Sequence, residues 1–196
     1  LALFPHSTFS KGFYSFFLNW IMEDPNLGLL IKPKGNLWLD IQTDGLDGLV
    51  QKALSTGRVQ TIDFNESPAD VAEAVDFSIG IGTYSAVVVS ALRGARVLFV
   101  DHERLDQGKC KQPYYLLHSL GHNRCVFYEF DSVKKAILQY INDPESNPRL
   151  GDVSPILDRI DPFQDGRANE RIGEYMGWYL EGLDSGLNRD DSLNIA

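Results

Sequence analysis

Cysteine is scarce: Cys110 and Cys125 are the only two in 196 residues. They stand too far apart for a CxxC motif and are too few for a disulfide framework, so both are read as free thiols in a reducing compartment. No apolar run reaches the roughly 18 residues of a membrane span, and no signal-peptide pattern opens the chain. Positive charge is short as well. Lys and Arg number 18 against 27 Asp and Glu, a net −9. That excludes the basic face of a general nucleic-acid binder but not a nucleotide, which needs only a few local cations. A GxSxG elbow is missing, which argues against a hydrolase triad around Ser85. HExxH is missing too: His118 and His122 have i, i+4 spacing, but Gly121 interrupts the helix they would need. No metal site and no resident cofactor is expected. The chain opens on Leu1 rather than Met, so a piece of a longer protein is expected.

What is present is an ordinary globular composition, 43% hydrophobic and 23% charged. Its organising stretch is 77–101, FSIGIGTYSAVVVSALRGARVLFVD. A buried strand (Phe77–Ile81), a glycine turn (Gly80, Gly82), a helix of small residues (Tyr84–Leu92) and a second buried strand (Val97–Val100) make one βαβ unit. Its crossover should be right-handed and its strands parallel. Orphan N–H groups at the start of the helix form an anion site, and a nucleotide phosphate is the first candidate.

The flanking pattern extends this unit. Leu1–Phe4 reads as a strand, followed by a polar turn over 6–12 and a helix from about Phe13 to Glu23. Leu27–Ile31 is a second strand. The spacing of Leu46, Leu49, Val50, Ala53 and Leu54 predicts a helix over about 45–55, and Val59–Phe64 a third strand. Ser67 caps a helix with Pro68 in its first turn. After a polar stretch over 101–124, with a short helix following Pro113, Cys125–Phe130 reads as a sixth strand. Asp131 or Ser132 then caps an amphipathic helix. A last helix carries Ile172, Tyr175, Met176, Tyr179 and Leu183, and the final ten residues should fray. The expectation is an α/β, Rossmann-like, doubly wound parallel sheet of about six strands with helices on both faces. Residues 1–165 would form the domain, and 166–196 a C-terminal helix and tail.

Gly80-Ile81-Gly82-Thr83-Tyr84-Ser85 reads GxGxxS, with Asp101 about twenty residues on, where the dinucleotide fingerprint puts its ribose-binding acid. Ser85 replaces the third glycine, so a phosphate site fits better than NAD; alternatively the glycines serve only close strand–helix packing. Lys32 and Lys34 follow the second strand, at the edge that faces the ligand crevice in open α/β sheets. They suit a diphosphate, or else form a solvated basic turn. Lys11 follows the first strand at the same edge. His6 there reads as a capping or surface histidine, and Asp165 and Arg167 as capping and surface pairing.

Three stretches in order, IKPKG (31–35), SPADVAEAVDFSIGIGTYSAVVVSALRGARVLFVD (67–101) and DPFQDGRANERIGEYMGWYLEGL (161–183), resemble the C-terminal half of GT-B glycosyltransferases. The likeness is to bacterial enzymes of surface or capsular polysaccharide synthesis and to related polyol-phosphate transferases. The resemblance implies a nucleotide-sugar donor bound by this domain, an acceptor site on an absent N-terminal domain, and transfer in the cleft between them without a metal ion. It also implies a last helix that crosses back to the first domain. Gly80, Gly82, Thr83, Tyr84 and Ser85 would hold the donor diphosphate, and Lys32 and Lys34 would neutralise it as it leaves. Where many such enzymes place a ribose-binding glutamate about four residues after the serine, this chain has Val89; Asp101 or Glu103 would serve instead. The fragment alone would then bind donor and transfer nothing. Its parent would be cytoplasmic, with peripheral association at the inner membrane face. The rival readings are an NAD-binding oxidoreductase domain using Gly80, Gly82 and Asp101, and a non-catalytic Rossmann-like module.

Overall fold

Aromatic residues set the architecture of the first helix, and that helix joins two apolar clusters. The structure, a computed structural model, describes residues 7–33, 45–81, 85–102, 104, 115–121 and 123–195. In chain order the elements are α1 (Ser7–Glu23), β1 (Leu29–Ile31), α2 (Asp47–Leu54), β2 (Val59–Thr61), α3 (Pro68–Ala72), β3 (Phe77–Ile81), α4 (Ser85–Ala91), β4 (Arg96–Val100), α5 (Tyr115–His118), β5 (Val126–Phe127), α6 (Phe130–Asn142), α7 (Leu157–Ile160), α8 (Ala168–Asp184) and α9 (Arg189–Ile195). The protein is α/β, and the described residues are about 52% helical. It divides into two compact units, Leu1–Pro155 and Ile156–Ala196.

Among the described residues of the first unit the strands form two parallel sheets, β1-β2 and β3-β4-β5. This corrects the expected single sheet of about six strands; the expected strand Leu1–Phe4 lies outside the described residues. Side chains alternate along a strand, so each sheet has two distinct faces. Ile81, Leu98, Val100 and Phe127 pack against Phe17 and Trp20 of α1 and Val133 and Ile137 of α6. Gly80 and Phe99 point the other way, toward Val87 of α4. Helices therefore cover both faces of the three-stranded sheet. The same α1 turns Leu18 and Ile21 onto a second cluster with Ile31, Val59 and Val50 and Ala53 of α2.

Several expectations about the elements need correction. The polar residues 7–12 are helical: α1 starts at Ser7, and Ser10 is buried. Phe13 and Phe16 of α1 pack on Phe130, with centroids 6.2 and 5.2 Å away, so packing overrides the turn-like composition. β5 stops at Phe127, and Phe130 opens α6 rather than ending a strand. An apolar run as short as Val126–Phe130 does not distinguish strand from helix by itself. The N-cap of α6 is Glu129, without a side-chain capping bond, rather than Asp131 or Ser132. At α3 the expected chemistry holds: Ser67 accepts a hydrogen bond from the Ala69 N–H at 3.1 Å.

The second unit contains α8 and α9. The tail expected to fray is the helix α9, whose Ser192 is fully buried against Gly182 of α8. Asn188 caps α9 by accepting from the Asp191 N–H at 3.0 Å, which corrects the expectation that this stretch frays. Before α8, Asp165 accepts from the Arg167 N–H and pairs with the Arg171 guanidinium, which lies 3.7 Å over the Phe163 ring. Hydrogen bonding from Arg171 is the main reason the Asp165 carboxyl titrates at about 2.

Cys125, immediately before β5, is a free and fully buried thiol. Burial pushes its pKa up from 9.0 to about 12, against the pull of Arg124. A raised pKa means that folding favours the neutral thiol, so the contribution is full below pH 9 and lost as pH climbs toward 12. In a Cys110→Ser background, Cys125 should resist a thiol reagent at pH 8 in buffer and react fully in denaturant. Rapid labelling of the folded protein would refute its burial.

Candidate functional site

The carboxyl edge of the parallel strands is where a ligand crevice would lie. The register Ile81↔Val100↔Phe127 levels the ends of β3, β4 and β5. Asp101, His102 and Arg104 past β4 and Tyr128–Phe130 past β5 therefore emerge at the same edge.

At the end of β4, Asp101 donates its N–H to the Phe127 carbonyl at 2.8 Å and accepts from the Arg104 N–H at 3.0 Å. This tight turn puts Arg104 in the left-handed region, φ 51°, and its guanidinium 4.8 Å over the Tyr128 ring. His102 Nδ1 lies 2.9 Å from the Tyr128 carbonyl and 3.5 Å from a Glu129 carboxylate oxygen. A carbonyl oxygen only accepts, so Nδ1 carries a proton and donates. The His102 ring stacks on Phe130 at 16°. His102 and Arg104 are thus held by the β5–α6 junction, and Arg104 is a cation that the sequence reading passed over. Its signal was its place, a basic residue just past the carboxyl end of an apolar strand.

The expected site residues fall as follows. Gly80 is buried, and a Cβ there would lie 2.6 Å from a Val87 methyl and 3.6 Å from Phe99. It allows α4 to sit close on β3, the packing role of a glycine in a strand–turn–helix. Ser85 opens α4. Asp101 is 2% exposed at the end of β4. Lys32 follows β1 and donates to the Phe64 carbonyl at 2.8 Å and the Pro33 carbonyl at 3.2 Å. It therefore ties the ends of β1 and β2 together. An ammonium has three donors, so these two bonds leave capacity for an anion. Lys11 is not on a strand-end turn: it lies in the second turn of α1, its ammonium 3.9 Å from where a Cβ on Gly45 would be. Lys34, Gly82, Thr83, Tyr84 and Glu103 lie outside the described residues. The structure thus joins Asp101, His102 and Arg104 in one cluster and places Lys32 at the end of the other sheet.

Among the described residues, no three His, Cys, Asp or Glu side chains gather as a metal site, and no helix is long and apolar enough to cross a membrane. Neither a family model, nor a curated protein, nor a solved structure matches this chain.

Proposed function

We propose that this chain is the donor-binding domain of a GT-B type glycosyltransferase, holding the diphosphate of a nucleotide sugar at the carboxyl edge of its strands. The observation that supports this reading is the parallel register of β3, β4 and β5, whose ends lie level, with Asp101, His102 and Arg104 following β4. The first unit would then be a Rossmann-like doubly wound domain, and the partner an N-terminal acceptor domain.

In the reaction an acceptor hydroxyl attacks the anomeric carbon of the sugar. The new C–O bond forms as the bond to the diphosphate breaks, and the nucleoside diphosphate leaves with the electron pair. Lys32, Lys34, Arg104 and the backbone N–H groups of residues 82–85 would stabilise the charge developing on the leaving oxygen. Fixed cations and dipoles in a dry site do this at little reorganisation cost. The parent would act in the cytoplasm on bacterial surface polysaccharide, at the inner membrane face. The oxidoreductase reading is weaker because Ser85 stands where the dinucleotide fingerprint has its third glycine.

Calorimetric titration with UDP, GDP, CDP, TDP and NAD tests this. One diphosphate should bind, and Lys34→Ala and Arg104→Ala should each weaken it about tenfold, or about 1.4 kcal/mol. Lys32→Ala is read together with its unfolding midpoint, since its bond to Phe64 is also lost. Binding of NAD alone, or of none of the five to a folded sample, would refute the proposal.

A further inference from the structure

One ring connects α1 to the residues that follow β4. Phe130, the first residue of α6, is nearly parallel to Phe16 of α1, with centroids 5.2 Å apart and planes at 22°. The His102 imidazole stacks on the same Phe130 ring at 5.6 Å and 16°. Phe13 meets Phe130 edge-on, 6.2 Å away at 65°. All three phenylalanines pack against the apolar cluster that holds Phe17, Trp20 and Phe127. Ring quadrupoles favour particular offsets and angles, so such contacts fix orientation as well as distance. The turn at the other end of this chain of contacts is strained. Arg104 has φ 51°, a left-handed conformation in which a Cβ crowds the following carbonyl. A residue stays there only where its surroundings over-determine it. Arg104 is exposed, so burial does not hold it. Its N–H donates to the Asp101 carbonyl at 3.0 Å and its guanidinium lies 4.8 Å over Tyr128. His102, in the same turn, is tied through Nδ1 to the Tyr128 carbonyl.

We propose that Phe130 is a positioning residue for Arg104, a role that rests on the donor reading. By stacking on His102 it keeps the turn in its strained conformation and so directs the guanidinium toward the donor diphosphate. A cation already ordered before the ligand arrives binds more tightly than a mobile one, because less side-chain freedom is lost on binding. Phe130 does this without touching the ligand. It acts through His102, and its own place is set by Phe13 and Phe16. The direction of Arg104 therefore depends on where α1 sits, which couples the ligand site to the core of the first unit.

Calorimetry with UDP, GDP, CDP and TDP on the whole chain and its variants tests this, together with proton NMR of the wild type. Phe130→Leu and His102→Ala should each weaken the diphosphate that binds by about tenfold. The double variant should also lose about tenfold rather than about a hundredfold, because both changes break one contact. Phe130→Tyr, which keeps the ring, should bind as the wild type does. Without any ligand, the His102 ring protons, assigned by their loss in His102→Ala, should resonate upfield of their random-coil positions because Phe130 lies against them. Should Phe130→Leu fail to fold, that displacement and the loss in His102→Ala decide. His102 protons at random-coil positions, additive losses, or full affinity in Phe130→Leu or His102→Ala would overturn the role of Phe130 and leave the donor reading standing. No diphosphate bound to the folded wild type would refute the donor reading and this role with it.

Discussion

Gly151→Ala should destabilise the first unit by about 3–4 kcal/mol, because a strained backbone and an overpacked contact add at one position. Gly151 adopts φ +67°, and a Cβ there would lie 2.8 Å from Arg96 Cβ and 2.9 Å from the Val97 nitrogen. Neither neighbour is the flexible end of a side chain. The Gly151 carbonyl accepts from the Val97 N–H at 2.9 Å, and its own N–H donates to the Arg124 carbonyl at 2.8 Å. Gly151 thus bridges the entry of β4 to the residues preceding β5, and Arg96 supports it by donating to the Pro148 carbonyl at 3.0 Å and to the Leu150 carbonyl. Any shift that accommodates a methyl group must open these bonds. Urea unfolding followed by circular dichroism would measure the loss. A change below about 1 kcal/mol, the level of an ordinary surface substitution, would show that the close approach does not exist.

The second large effect is expected at Arg58. Its Nη1 donates to three backbone carbonyls, those of Ile21, Asp24 (2.7 Å) and Leu27 (3.0 Å). Ile21 lies in the last turn of α1, where carbonyls lack partners within the helix. One guanidinium therefore caps α1 and pins the turn that leads into β1, while the Arg58 carbonyl accepts from the Leu29 N–H at 2.8 Å to start the β1–β2 ladder. Arg58→Ala should cost about 2–3 kcal/mol, as expected for charged hydrogen bonds whose acceptors are left half-buried. Arg58→Lys, a single rotatable ammonium in place of a planar fork, should recover only part of that. Equal stability of the Lys variant and the wild type would mean that only the charge matters. Equal stability of the Ala variant would mean that the three bonds contribute nothing.

These two positions are also places where the sequence reading was silent, and for one reason. Each works through partners distant in the chain, as Arg58 does with Ile21 and Gly151 with Arg96. Elements that depend on near neighbours were legible. Phe77–Ile81 was read with its observed bounds, because an apolar run closed by glycine is a local signal. The Ser67-Pro68 start of α3 was read for the same reason. The starts of α1 and α6 were misplaced because Phe13, Phe16 and Phe130 decide them by packing on one another. At the candidate site, Asp101 was read correctly at the end of a strand, whereas Gly80, read as part of a glycine turn, lies inside β3; only tertiary packing decides that a methyl on Gly80 would strike Val87 and that Asp101 is buried. Arg104 went unread because its position over Tyr128 depends on the β4–β5 pairing.

By itself the sequence determined the α/β class, the parallel βαβ unit at its centre and the net negative charge, since alternation, glycine placement and composition are read from the residues themselves. Tertiary structure alone decided that the described strands lie in two sheets with an apolar cleft between them, that one arginine caps α1, and that His102 and Arg104 share the carboxyl edge of the strands. Those features come from contacts between segments distant in the chain, and no local period records which distant segment will supply a partner.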